Sequence, residues 1–189
     1  MTELVIQSAH GPFTIRMFET EAPVTCQFFS RWVRQTPDDG FTVFRIVAPQ
    51  NHQASDPRPI QVVQIGERGM SSDRCLSADR FPARHENTSL TGLTHKKWTV
   101  SAARINLNEL IGSFFICMQD EPELDFGGSR NPDGQGFAAF GEVVAGFEVV
   151  EKIFSMASDD EWLEREIRLD SIALRGESEA VSVTKEAHR

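Results

Sequence analysis

Val43-Phe44-Arg45-Ile46-Val47 sets one arginine inside an apolar run of strand-forming residues. Arginine keeps its charge and offers five N–H donors in a fixed plane, so it either faces water or serves an acceptor such as a carboxylate, a phosphate or a developing lone pair. Strand alternation puts Phe41, Val43, Arg45 and Val47 on one face and Thr42, Phe44 and Ile46 on the other. Taken alone, that pattern leaves Arg45 on the wet side of a half-buried strand. The flanking sequence has to decide.

Upstream, Leu4–Gln7 and Phe13–Met17 are short strand patterns separated by the turn-forming Ser8-Ala9-His10-Gly11-Pro12, which predicts a hairpin. Ala22-Pro23 then opens an amphipathic helix, with proline tolerated in the first turn and Val24, Phe28 and Trp32 recurring beside Phe29 and Val33. The helix is expected to end near Gln35, before Thr36-Pro37-Asp38-Asp39-Gly40.

Downstream of the arginine strand (Phe41–Val47), Ala48 to Pro59 is a polar insert and strand character resumes from Ile60 to Ile65. Gly69 to Ser89 reads as a polar surface excursion, and two further strands follow at Trp98–Ala103 and Ser113–Met118. Glu123 to Gly136 is a glycine-rich loop around Asn131-Pro132-Asp133-Gly134, without the Gly-Lys-Ser/Thr ending of a phosphate loop. Phe137–Val143 is strand, Gly146–Met156 helix, with Phe147, Val150 and Phe154 on one stripe beside Val149 and Ile153. In the last strand the apolar parity changes between Leu169 and Ile172, which predicts a bulge near Asp170. Residues 1–175 make one domain, and Gly176–Arg189 a polar tail expected to be mobile.

The chain has 189 residues and a formal net charge of -9, which argues against a general nucleic-acid or anionic-membrane binder. Cys26, Cys75 and Cys117 are irregularly spaced, so buried thiols in a reducing compartment are expected rather than a disulfide framework. The N-terminus lacks the basic and apolar regions of a signal peptide and no stretch approaches a membrane span, so the sequence reads as cytoplasmic and monomeric. His85-Glu86 and His95 are too scattered for a metal site and are expected at the surface or bracing loops; no metal or cofactor is expected. Many short strands with two helices exclude a regular βαβ alternation. The economical fold is mainly β, a closed antiparallel barrel with its two mouths covered by the helices.

The order of motifs resembles the cyclophilins, peptidyl-prolyl cis/trans isomerases, over roughly Leu4 to Arg175. The resemblance is carried by Gly112-Ser113-Phe114-Phe115-Ile116-Cys117, Phe137-Ala138-Ala139-Phe140-Gly141-Glu142-Val143, Gly146-Phe147-Glu148-Val149-Val150, Ala22-Pro23-Val24-Thr25, Phe44-Arg45-Ile46-Val47 and Val62-Val63-Gln64-Ile65-Gly66. The insert after Val47 and the Asn131–Gly136 loop look like a divergent bacterial branch.

The resemblance implies an eight-stranded barrel capped by two helices, with the site on the barrel's outer surface and Arg45 as the catalytic arginine. It implies Phe115 as the floor of a proline pocket with Val62 and Leu124 as walls, Gln64 bonding the guanidinium or the substrate, and Ala103 and Arg104 binding the peptide backbone. Ser113 stands where the family carries glutamine, Glu123 where many members carry tryptophan, and Phe137 where they carry histidine. Without the tryptophan, cyclosporin binding does not carry over; Phe137 is expected to deepen the pocket. The implied partners are proline-containing peptides and unfolded protein segments. Two rivals remain open: a proline-peptide binding module with little catalysis, and a barrel scaffold whose inserts hold a dedicated partner.

Overall fold

A computed structural model describes residues 2–51, 59–70 and 79–176. The opening hairpin is present as β1 (Glu3–Ser8) and β2 (Phe13–Met17), and α1 spans Pro23–Gln35. β3 is Phe41–Val47 and β4 Val62–Glu67; β5 (Phe81–Pro82), the single turn α2 (Thr88–Thr91), β6 (Thr99–Ala102), β7 (Glu109–Leu110) and β8 (Ser113–Cys117) follow. The chain continues through β9 (Ala138–Ala145), α3 (Phe147–Phe154) and β10 (Trp162–Arg175).

Eight strands close into an antiparallel barrel in the order β1-β10-β3-β4-β8-β6-β9-β2, and β5 and β7 form a small separate ribbon. Closure leaves the barrel itself without an unpaired edge. The lumen is filled by side chains: Phe41, Phe114 and Phe140 meet Phe29 and Trp32 of α1, with Phe29 stacked on Phe140 at 4.5 Å. Val149, Val150 and Ile153 of α3 join the same core.

The helix stripes are rotated from the expected ones. In α1 the buried line runs through Cys26, Phe29 and Val33, while Val24 and Phe28 sit at its edge, Phe28 against Phe81. In α3 Phe147 is exposed and leans on Trp98 instead of entering the core. α1 begins at Pro23 without a side-chain cap of its own; Glu86 supplies one, accepting bonds from the Val24 and Thr25 amides at 3.1 and 2.9 Å. A carboxylate there also complements the positive end of the helix.

Two irregularities break the strand alternation. Gln7 pairs with Ser171 and Ser8 with Leu169, which leaves Asp170 as the expected bulge. A second bulge corrects the alternation assumed for β3: Val43 pairs with Ile65 and Arg45 with Gln64, so Phe44 is the extra residue. Phe41, Val43, Ile46 and Ala48 therefore face the core, and Arg45 and Val47 share the outer side. Phe44 stacks on Trp162 at 5.7 Å. β10 starts at Trp162, earlier than the apolar pattern from Ile167 indicated.

The excursion after Gly69 is also less superficial than its polarity implied, since His85, Glu86, Asn87 and Thr88 are buried. Residues 71–78 of that excursion, 52–58 of the insert after Val47, and the tail from 177 lie outside the described residues. So does Cys75; Cys26 and Cys117 are buried free thiols.

Candidate active site

On the outer wall of the barrel a second, smaller apolar cluster gathers Val47, Ile60, Val62, Ala103, Ile111, Phe115, Cys117 and Leu124. Strand alternation creates it: Phe114 and Ile116 of β8 point inward, so Phe115 and Cys117 must point out. The cluster surrounds a cavity of about 150 Å³. Its lining contains every site residue singled out in the sequence: Arg45, Val62, Gln64, Ala103, Arg104, Phe115, Leu124 and Phe137. Ile60 and Arg130 complete it.

Phe115 is held from both sides. Phe137 meets it edge-to-face at 5.5 Å, and His95 lies nearly parallel at 6.3 Å. His95 is buried rather than at the surface, and it braces: Nδ1–H donates to Asp125 Oδ1 (2.7 Å) while Nε2 meets Ser101 Oγ (2.9 Å). Asp125 belongs to the loop that carries Leu124, so one imidazole braces both Phe115 and that loop.

Arg45 stands at the cavity with its neighbours in strand register, Gln64 of β4 on one side and Trp162 of β10 on the other. Nη1 donates to Gln64 Oε1 (3.1 Å), and Gln64 Nε2 donates onward to Ser113 Oγ (3.0 Å). Ser113 thus keeps a hydrogen-bonding group behind the glutamine. Nε and Nη2 both donate to Glu161 Oε2, at 3.1 and 2.5 Å, and the guanidinium carbon lies 5.3 Å from the centre of the Trp162 ring.

The glycine-rich loop is latched by Arg104. Its side chain is 2% exposed, Nε donates to the Gly136 carbonyl, and both Nη atoms reach Asp133 at 2.8 Å. The guanidinium lies 5.3 Å from the centre of the Phe137 ring. That bidentate partner pulls the Asp133 carboxyl down to about 2. Glu123 does not face the cavity as a surrogate for an aromatic; it folds back to accept the amide and hydroxyl of Ser129. Gly136 (φ 63°) is needed at its turn, because a Cβ would sit 2.5 Å from the Leu124 carbonyl oxygen.

Beneath the loop, His85 Nε2–H donates to the Gln135 carbonyl, and burial lowers its pKa below the ordinary 6.5. Burial lowers that of Arg130 as well, with Arg45 nearby adding to the effect. Among the described residues no three His, Cys, Asp or Glu side chains gather to hold a metal, and no helix is long and apolar enough to cross a membrane.

The family model described as "Cyclophilin type peptidyl-prolyl cis-trans isomerase/CLD" matches residues 2–174. The chain belongs to this family. A peptidyl-prolyl cis-trans isomerase of Streptomyces antibioticus, cyp18, is 29% identical over 154 residues, covering 81% of this chain and 83% of that protein. Peptidyl-prolyl cis-trans isomerase B of Escherichia coli K12 is 27% identical over 180 residues, covering 93% and 96%. The barrel is also similar to a crystal structure of a Cryptosporidium parvum cyclophilin (TM-score 0.67, 18% identity, 94% of this chain and 99% of that one), which bears on the fold alone. The eight-stranded cyclophilin barrel expected from the sequence is thus the observed one, and the chain is an isomerase of this family.

Sequence reading missed Glu161, Trp162, Ile60 and Arg130. The only available signal for Glu161 was the acidic run Asp159-Asp160-Glu161 just before β10, whose closeness to Arg45 depends on β10 pairing with β3 across 116 residues. Nothing in the loop pattern marked Arg130.

Proposed function

We propose that this chain accelerates rotation about X-Pro peptide bonds at the outer-wall cavity, with Arg45 as the catalytic residue. The observation that carries the reading is the placement of Arg45 on the lining of a cavity whose apolar side is formed by Ile60, Val62, Phe115, Leu124 and Phe137. A cavity near 150 Å³ has room for a ring about the size of benzene, and its apolar side suits a proline ring held against Phe115 between Val62 and Leu124.

Rotation is opposed by about 18–20 kcal/mol because the amide nitrogen donates its lone pair into the carbonyl. At the twisted midpoint that donation is lost, the prolyl nitrogen becomes pyramidal, and its lone pair accepts a hydrogen bond it could not accept in either ground state. An Arg45 N–H aimed there stabilises the midpoint selectively and transfers no proton. One charge-assisted hydrogen bond supplies part of the acceleration; fixing the ring in the cavity and the neighbouring carbonyls at Gln64 supplies more. Ala103 and Arg104 border the cavity where a peptide backbone would pass, and Phe137 adds apolar wall.

The substrates are proline-containing peptides and unfolded protein segments, the role is assistance to protein folding, and the chain acts as a cytoplasmic monomer. The test is exchange spectroscopy on an Ala-Pro peptide with native protein and with Arg45→Ala. Acceleration by the native protein and its loss in the variant are expected; a peptide that binds both without faster exchange would instead identify a binding module.

A further inference from the structure

The guanidinium of Arg45 carries five N–H donors, and the structure accounts for three of them. Nε and Nη2 each give one to Glu161 Oε2 and Nη1 gives one to Gln64 Oε1. That leaves one N–H on each terminal nitrogen for anything entering the cavity. The side of the guanidinium bearing Nε is occupied by a carboxylate, and a ring lies beside it, so the plane of the group is set by Glu161, Gln64 and Trp162 together.

Glu161 is itself fixed. Its carbonyl accepts the Ile46 amide at 2.9 Å, which ties it to β3 one residue beyond Arg45. The segment before it is anchored by Asn51, a buried side chain whose Nδ2 reaches the Ser158 and Asp160 carbonyls (3.0 and 3.3 Å) as well as that of Ile46 (2.8 Å). Asn51 Oδ1 accepts the Ala48 amide. The first residues after β3, polar and unexplained in the sequence, therefore close a loop of contacts: Asn51 holds residues 158–160, these present Glu161, and Glu161 holds Arg45.

We propose that Glu161 is a positioning residue for the isomerisation: it selects the guanidinium orientation in which a free terminal N–H points into the cavity. The proposal rests on Arg45 being the catalytic donor. Glu161 touches no substrate. Its carboxylate removes rotational freedom that Arg45, on a flexible stem, would otherwise lose during each turnover, so its effect falls on kcat rather than on peptide binding.

The test compares native protein with Glu161→Ala and Glu161→Gln by two readouts. The first is the ¹H–¹⁵N resonance of Arg45 Nε–H, which a held guanidinium keeps sharp and a free one loses to exchange with water. The second is the catalysed cis–trans exchange of an Ala-Pro peptide, analysed for kcat and KM separately. Glu161→Ala is expected to lose the Nε–H signal and to lower kcat by about 10–100-fold with KM within about twofold. Glu161→Gln, which keeps the acceptor oxygen and the volume, is expected to restore the signal and most of kcat. An unchanged kcat in Glu161→Ala, or a loss that appears in KM, would overturn the role of Glu161. Native protein without isomerase activity would count against the Arg45 reading beneath it, while the Nε–H signal would still report whether Glu161 holds the guanidinium.

Discussion

Phe114 and Phe115 are adjacent, identical in chemistry and both buried, yet they belong to different parts of the molecule. Phe114 points into the barrel and packs its ring against Phe29, Trp32 and Phe140. Phe115 points outward, between His95 and Phe137, and borders a cavity. The inner face solves a packing problem with apolar side chains from all eight barrel strands and both long helices. The outer face uses a small cluster to shape a vacancy and then surrounds it with bonded polar groups. With the site proposed at Arg45, the packing core and the proposed chemistry lie on opposite sides of the same strands.

Substitutions should separate the two faces. Phe114→Ala is expected to destabilise by about 3–5 kcal/mol, read as a lowered denaturant midpoint, while the folded fraction keeps its catalysed exchange rate. Phe115→Ala is expected to weaken peptide affinity by about tenfold or more through loss of the pocket floor, with a smaller fall in the midpoint because its ring already borders a cavity. Equal effects of both on both readouts would break the division between inner and outer faces.

Acid should loosen the outer face before the core. His85 has its pKa lowered by burial, so its contribution is complete above the ordinary 6.5 and is lost as pH falls through its lower value in the fold. Asp133 has its carboxyl lowered from 3.8 to about 2 by Arg104; its contribution is present above 3.8 and lost as pH falls toward 2. Protection factors, corrected for intrinsic exchange, are expected to fall across residues 123–137 in these two steps while β8 amides keep theirs. The smallest effect concerns thiols: burial pushes Cys26 up to about 12 and raises Cys117 well above 9.0, so both should resist alkylation at pH 8 until the barrel unfolds.

Much of this division could be read from the sequence, and its limits are physical. Apolar patterning identified the barrel strands but not the short ribbon of β5 and β7, and the parity change near Asp170 located a bulge, because period-2 patterning is local. The bulge at Phe44 was hidden: Val43, Phe44, Ile46 and Val47 are apolar on either parity, so no polar residue reported the shift. The cavity lining was legible through motif resemblance, and its eight named residues do converge. Glu161 and Asn51 were not, since each depends on contacts between segments far apart in the chain; for His95 the sequence left surface and bracing open, and it braces. The cap on α1 shows the same limit, for Glu86 lies 62 residues from Val24.

The account rests on Arg45 acting as a hydrogen-bond donor to the prolyl nitrogen. The most direct measurement is cis–trans exchange of an Ala-Pro peptide with native protein and with Arg45→Ala, alongside the denaturant midpoint of each. The account predicts acceleration by the native protein, a loss of about 100-fold or more in the variant, equivalent to about 2.7 kcal/mol of transition-state stabilisation, and a nearly unchanged midpoint. Equal acceleration by the two proteins would contradict it.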